Sequence, residues 1–335
     1  MTSAYDLIGQ HPSNTLYNPR FVSYTDKTWA WTYPPMQNLT AHTTIDNEGT
    51  AHASFDPAFL ALDNDEEKRA SEPARSPNER YWRRETESDV EHWWHIEVSD
   101  IVMAAWARYP AIVQTCHTKP LSDITISENV DSTYGVYIGN QRYPVAIGEM
   151  KRNLINKEDW QTNSLRDAQQ KIAREFRGYA DKYQCPQVFC WDGRYLLMLQ
   201  FRARKPEHIR NADCPIDCWV IPVEGSTCTL RYALYRLMVQ CGRSHGRGSW
   251  PGSFMLLGEG QGIDVKRAAV RISGVGKEGL GERVFVAVVG KTFVDHPEGG
   301  PAAARHFLEG DPDVFPLGDR FGELGDAFLG SASRW

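Results

Sequence analysis

The chain is predicted to fold as an α/β or α+β core in which a mixed central sheet is flanked by helices. Three observations predict this. An apolar stripe at helical spacing begins at Glu87, a hairpin pattern of alternating residues runs from Ser132 to Arg152, and a second amphipathic helix precedes two more strands around a glycine turn. The resulting order, helix, strand, strand, helix, strand, strand, is that of helices packed on a sheet.

In ESDVEHWWHIEVSDIVMAAWARY, Val90, Trp94, Val98, Ile101 and Ala105 recur at helical spacing, so a helix is expected from Glu87 to Trp106, with Pro110 beyond its end. Glu87 and Glu91 project from nearly the same face as Val90 and Trp94, and Glu97 sits nearer its edge. A carboxylate on a buried stripe is costly without a partner, so the helix either ends in solvent there or turns these acids toward a polar site. The tryptophans 93, 94 and 106 read as packing residues rather than as surfaces for bases. Next, STYGVYIG and RYPVAIGEMKR flank a turn near Gly139-Asn140. Pro144 interrupts the second strand, which an edge position or a bulge would tolerate. In SLRDAQQKIAREFRGYADKY, Leu165, Ala168, Ile172, Phe176, Tyr179 and Tyr183 line one helical face, with Gln169 among them. QVFCWDGRYLLMLQFRA then gives two strands around Trp191-Asp192-Gly193.

The flanks are less patterned. Residues 1–56, rich in Thr, Asn, Pro and aromatics, read as extended segments and loops, and 63–80, almost devoid of large apolar groups, as a solvated linker or surface loop. Beyond residue 206, CWVIPV reads as a strand and TCTLRYALYRLMVQC as a helix, and the Gly-rich tail from Gly242 carries VFVAVVG as its strong strand. The expected organisation is an N-terminal extension and linker over 1–80, a core over 81–241 and a C-terminal accessory region over 242–335.

Composition narrows the class. No apolar run approaches the roughly 18 residues of a membrane span, and the first residues lack the basic and apolar regions of a secretory signal, so cytoplasm or nucleus is expected. Seven cysteines without a dense framework read as reduced thiols, and His92 and His95, lacking an HExxH pattern, do not read as a metal pair. Neither a complete phosphate loop nor a GxSxG elbow occurs. A net charge of −6 argues against a wholly basic nucleic-acid coat. Charge is nevertheless segregated: residues 1–100 hold 8 Lys+Arg against 17 Asp+Glu, whereas 141–210 hold 14 against 8, which suits a localised polyanion site.

The chemistry concentrates at the hairpin. Asp131 opens its first strand and Glu149-Met150-Lys151 ends its second. Residues two apart on a strand share a face, so Glu149 and Lys151 point the same way, and the turn brings Asp131 back beside Glu149 across 18 residues of sequence. Two converging carboxylates repel unless a cation lies between them, and a hard ion such as Mg2+ accepts such ligands. Lys151 beside it would orient water or stabilise charge growing on a phosphate. Arg152 follows, and the second helix offers Arg166, Lys171, Arg174 and Arg177 for backbone phosphates. The plainer alternatives are a turn-capping Asp131, an exposed Glu149–Lys151 pair, helix-dipole roles for Glu87 and Glu91, and a buried, backbone-bonded Gln169.

Val130-Asp131 followed by Gly148-Glu149-Met150-Lys151 resembles the PD-(D/E)XK nuclease superfamily, with valine in place of its frequent proline. The helix from Glu87 is similar to that family's first helix, which often contributes a glutamate. The helix over 164–183 is similar to the one after the ExK strand, which in some branches supplies a glutamine. The segments ESDVEHWWHIEV and VFCWDGRYLLMLQF resemble the nuclease-like members found in filamentous fungi, and the resemblance spans roughly residues 85–205. It implies a restriction-endonuclease-like core, metal ligation by Asp131 and Glu149 with Glu87 or Glu91 as a further ligand, Mg2+ with Mn2+ as substitute, catalytic roles for Lys151 and Gln169, and nucleic acid, chiefly DNA, as substrate. The Gln-x-x-x-Tyr form of some branches is not met by Gln169 or Gln170, which Ala173 and Arg174 follow by four. Two further readings stay open: an inactive module of the same fold that binds nucleic acid or a protein partner, and an interaction module driven by the C-terminal region. A homodimer is compatible with each.

Overall fold

The computed structural model describes residues 2–244, apart from 15, 60, 63–64, 109–110, 121–127 and 139–140. All of these lie in one unit of the chain, Met1–Gly260. The expected C-terminal strand VFVAVVG and most of the accessory region lie outside the described residues.

The core is a seven-stranded sheet. Its strands in chain order are β1 (Leu39–Ala41), β2 (Val113–Thr118), β3 (Val130–Ile138), β4 (Gln141–Met150), β5 (Gln187–Trp191), β6 (Tyr195–Phe201) and β7 (Ile216–Pro222). They lie in the order β1-β7-β6-β5-β4-β3-β2. The β4–β5 and β7–β1 pairs are parallel and the others antiparallel, so the sheet is mixed. β3 and β4 form the expected hairpin, with Ile138 opposite Gln141. Because β4 is an inner strand, Pro144 is accommodated by a bulge: the register shifts between Pro144 and Ala146. The parallel return from β4 to β5 needs a crossover, supplied by α5 (Lys157–Gln161) and α6 (Asp167–Lys182).

Helices cover both faces. On one, Ile172, Phe176 and Tyr179 of α6 pack with Ile147, Val188, Cys190 and Leu197 of the sheet. On the other, the sheet residues Ala146, Met150, Phe189 and Trp191 meet Trp93, Trp94 and Trp106 together with α7 (Leu230–Ser244). The helix expected over 87–106 is present as α3 (Glu87–Trp94), a π-helical turn over His95–Ser99 and α4 (Asp100–Ala105), and Thr86 and Asp89 close a capping box at its start. Trp94 stacks on Phe189 at 5.2 Å and donates from Nε1 to the Tyr134 hydroxyl at 3.1 Å, so these tryptophans are core residues. Glu97, expected near the edge of the stripe, is fully buried and accepts from Asn14 and Trp82.

The division at residue 80 does not hold. β1 enters the sheet beside β7, and α1 (Ala4–Ile8) is tied to the start of α7, where Thr229 donates to the Ile8 carbonyl at 2.7 Å and Arg231 to that of Leu7 at 3.0 Å. The polar run read as a linker contains α2 (Glu66–Ser71), whose Arg69 is buried, donates to the Tyr235 hydroxyl and lies 4.4 Å over Trp106. Long side chains bury their stems and planes against aromatic surface, so charge density alone mistook this helix for a solvated segment. Among the described residues, no helix is long and apolar enough to cross a membrane.

Candidate functional site

Register brings the two acids of the hairpin together. Gly148 faces Ser132, so the next step outward places Glu149 opposite Asp131, and Asp131 Oδ2 accepts the Met150 N–H at 2.6 Å. Alternation assigns Glu149 and Lys151 to the Ile147 side, which α6 covers. Lys151 Nζ lies 2.6 Å from Glu149 Oε1, and its backbone N–H donates to Trp191, which continues the β4–β5 pairing one residue past the strand. Gly148 permits the close packing between them, because a Cβ there would stand 2.1 Å from the Phe189 ring.

Both candidate glutamates of α3 border this site, on different sides. Glu87 accepts from the Ser23 hydroxyl and contributes to the field at Lys151. Glu91 Oε2 lies 3.3 Å from His117 Nε2, and His117 Nδ1 lies 3.8 Å from Asp131 Oδ1. His117 reaches both acids from a left-handed backbone, φ 49°, at the end of β2. Neither β2 nor His117 stands out in the sequence, because VQTCHT is a partly exposed strand with little apolar alternation.

α6 contributes a different residue from the one expected. Gln169 is turned away: its Oε1 accepts from Trp160 Nε1 at 2.7 Å and from the Asn156 N–H, and its Nε2 donates to the Leu154 carbonyl at 2.8 Å. It braces the 154–160 turn, as the buried-amide alternative holds. The acid facing Glu149 and Lys151 is Glu175, fully buried, with the Thr25 hydroxyl on its Oε2. Glu175-x-x-x-Tyr179 has the spacing of the Gln-x-x-x-Tyr form with glutamate in the first place. We expect Gln169→Ala to destabilise the fold by about 1–3 kcal/mol, read as a lower urea midpoint, while any cleavage activity per folded molecule stays at the wild-type level.

Burial sets the electrostatics. It pushes the Glu149 carboxyl up to about 8; the Lys151 ammonium opposes the shift, and the carboxylates of Asp131 and Glu175 add to it. Asp131 is also raised, by burial first and by Glu91, against the Met150 N–H and Lys151. Burial works against the charge of Lys151, but Glu149, Glu175 and Glu87 outweigh it and hold the ammonium above its ordinary range. Burial, then the charges of Glu149, Glu175 and Asp131, keeps the Tyr179 hydroxyl protonated.

Glu149 Oε2 and Glu175 Oε1 are buried without a hydrogen-bond partner among the described residues, a state a carboxylate oxygen tolerates poorly unless a cation or proton meets it. Among the described residues, the three donor atoms beside Asp131 that lie within 4.8 Å of one another belong to Glu91, His117 and Asp131 itself; Glu149 and Glu175 are in no such group.

The basic residues divide. Arg152 is not a phosphate ligand: it is 3% exposed, donates to the carbonyls of Arg84 and Glu85, and lies 4.7 Å from the Phe21 ring. Arg177 is buried and spent on the carbonyls of Ile209 and Asn211. Arg166 is exposed beside Asp159, Lys171 pairs with Asp26, and Arg174 donates to the Tyr33 carbonyl. Residues 19–26 run over this region: Asn153 Nδ2 donates to the carbonyls of Pro19 and Phe21, Ser23 exchanges hydrogen bonds with Arg152, and Ser23 and Thr25 point their hydroxyls inward to Glu87 and Glu175. This strap carries no sequence signal, since its contacts reach residues from 64 to 150 positions away.

Comparison of the chain with protein-family models, with curated proteins and with solved structures found no match in any of the three.

Proposed function

We propose that the protein is a metal-dependent nuclease of the PD-(D/E)XK kind that hydrolyses phosphodiester bonds of nucleic acid, with DNA as the favoured substrate. The observation that carries this reading is the buried, unpartnered oxygen of Glu149 beside the protonated amine of Lys151, with Asp131 opposite on the paired strand. Asp131 and Glu149 would hold Mg2+, or Mn2+ in its place, with Glu175 and one of Glu87 and Glu91 as further oxygen donors. When bound, the ion neutralises phosphate charge and acidifies water. Lys151 supplies a positive charge and a donor to a phosphate oxygen, and its bond to Glu149 fixes where that donor points. Exposed Arg166, with Lys171 once released from Asp26, supports salt-dependent binding of flanking phosphates.

A second reading is favoured by one observation. Glu149 and Lys151 are 4% and 6% exposed, and Ser23 and Thr25 of the strap are bonded to the neighbouring Glu87 and Glu175. This suits an inactive module of the same fold that binds nucleic acid or a protein partner. The two separate when the full chain is incubated with labelled single- and double-stranded DNA and RNA. The nuclease reading expects cleavage with Mg2+ or Mn2+ that a chelator abolishes. Intact substrates under every metal condition would reject it, and retained binding of them would favour the inactive module.

The raised carboxyl of Glu149 gives a pH dependence of stability. The folded group titrates near about 8, above its ordinary 4.5, so the metal-free folded state binds the proton more tightly than the unfolded chain does. This contribution is fully present below the unfolded value and is lost as pH rises through the folded one. Urea midpoints of the metal-free protein should therefore fall between about pH 5 and pH 8 relative to those of Glu149→Gln, which cannot lose that proton. Parallel curves for the two proteins would contradict it.

A further inference from the structure

Beside the oxygen-donor site, the other side of Glu91 meets a different chemistry. Its Oε1 lies 3.3 Å from His95 Nε2, and Cys116 Sγ lies 3.4 Å from the same nitrogen. The carboxylate is thus divided, with Oε2 toward His117 and Asp131 and Oε1 toward His95 and Cys116. Glu91, His95 and Cys116 each offer one donor atom, all within 4.8 Å of one another. The three come from three elements: Glu91 lies in α3, His95 opens the π-helical turn that follows it, and Cys116 lies on β2.

We infer that Glu91, His95 and Cys116 form a site for a zinc-class ion, separate from the hard-ion site at Asp131 and Glu149 and sharing with it only the edge of Glu91. The donor set argues for the class of metal, because thiolate and imidazole select zinc over magnesium. The spacing agrees as well. Zinc bonds of about 2.0–2.3 Å at tetrahedral angles separate neighbouring donors by roughly 3.3–3.7 Å; the His95–Glu91 and His95–Cys116 separations of 3.3 and 3.4 Å fall in that interval, and the Glu91–Cys116 pair lies within 4.8 Å. His117 stands on the other oxygen of Glu91, its Nε2 3.3 Å from Oε2, and belongs to the Asp131 side.

The ring of His95 is also held from behind. Its Nδ1 meets the Gln114 amide, which bonds in turn to Ser99 and Ser132. As placed, Gln114 Nε2 faces Nδ1 and Gln114 Oε1 accepts from Ser99, so a metal on Nε2, which leaves the ring proton on Nδ1, would require this amide to reverse. Cys116 is exposed on its strand, so an ion reaches the site without passing the strap.

The test uses the full chain, stripped with a chelator and titrated with Co2+, whose visible bands report tetrahedral coordination and whose near-ultraviolet charge-transfer band reports a thiolate ligand. The site predicts one such ion per chain, displaced by Zn2+ and not by excess Mg2+. Cys116→Ser should lose the charge-transfer band, and His95→Ala should weaken binding by at least about tenfold. Glu149→Gln, which damages the oxygen-donor site, should load cobalt as wild type does, so this inference stands or falls separately from the nuclease reading. Absence of the thiolate band in the wild type, or its persistence in Cys116→Ser, would overturn it. Because Cys116 is exposed, the serine variant should unfold at the wild-type temperature, which checks that a lost band is not a lost fold.

Discussion

Replacing Lys151 by methionine is expected to reduce phosphodiester cleavage by about 10²–10³-fold, the usual effect of removing one donor aimed at developing charge. Methionine keeps most of the buried stem and removes the amine. Breaking a buried ion pair ordinarily costs about 3–5 kcal/mol, because the remaining charge is left uncompensated. Here the penalty is softened. Burial raises the Glu149 carboxyl even against the Lys151 ammonium, so removing the ammonium raises it further and the acid sits in the core as a neutral group at neutral pH. The variant should therefore remain folded by circular dichroism and thermal unfolding while single-turnover cleavage collapses. Glu149→Gln should lose activity similarly while keeping a hydrogen-bonding group beside Lys151. A Lys151→Met protein that is folded and cuts at the wild-type rate would remove the amine from the chemistry.

The largest effect on stability is expected at Trp94. Its ring is fully buried, stacks on Phe189 and packs 5.9 Å from Trp191, and its N–H holds the Tyr134 hydroxyl. Trp94→Ala deletes this volume and leaves a cavity between α3 and the sheet, at a cost of about 3–5 kcal/mol. Against a total of about 5–15 kcal/mol for a folded domain, that is a large fraction. The consequence extends to the candidate site, because α3 carries Glu87 and Glu91 on the turns just before Trp94. Urea unfolding should show a midpoint well below wild type. Trp94→Phe should recover most of the loss, lacking only the hydrogen bond and the edge of the indole.

The sequence made the middle of this fold readable because the periodicities there are long. The stripe from Val90 to Ala105, the ten-residue strand ending in Glu149-Met150 and the sixteen-residue helix over Asp167–Lys182 each repeat their period enough to be recognised. The pairing of Asp131 with Glu149 followed from hairpin geometry alone. The N-terminal eighty residues escaped because their helices and strands are two to six residues long and draw their order from partners far along the chain, as Thr25 does from Glu175.

The exchange of Gln169 for Glu175 is instructive in another way. Both lie on the packed face of α6, and Gln169 satisfied its amide locally against Trp160 and Leu154. Glu175 lies three residues after Ile172 and four before Tyr179, so the same helical phase placed a carboxylate on an apolar stripe. The reasoning applied to Glu87 and Glu91, that such an acid needs a partner, would have singled it out. His117 and Cys116 carried no comparable signal, since their meeting with Glu91 depends on how β2 lies against α3.

Crystals soaked in Mn2+ and measured at its absorption edge test most directly whether Asp131 and Glu149 enclose a divalent ion beside Lys151. The account predicts an anomalous peak within coordination distance of a carboxylate oxygen of Asp131 and of Oε2 of Glu149, absent from crystals of Glu149→Gln. A fully loaded crystal with no peak between those two residues, or one in which Glu149 bonds only to Lys151 while manganese sits elsewhere, would contradict it.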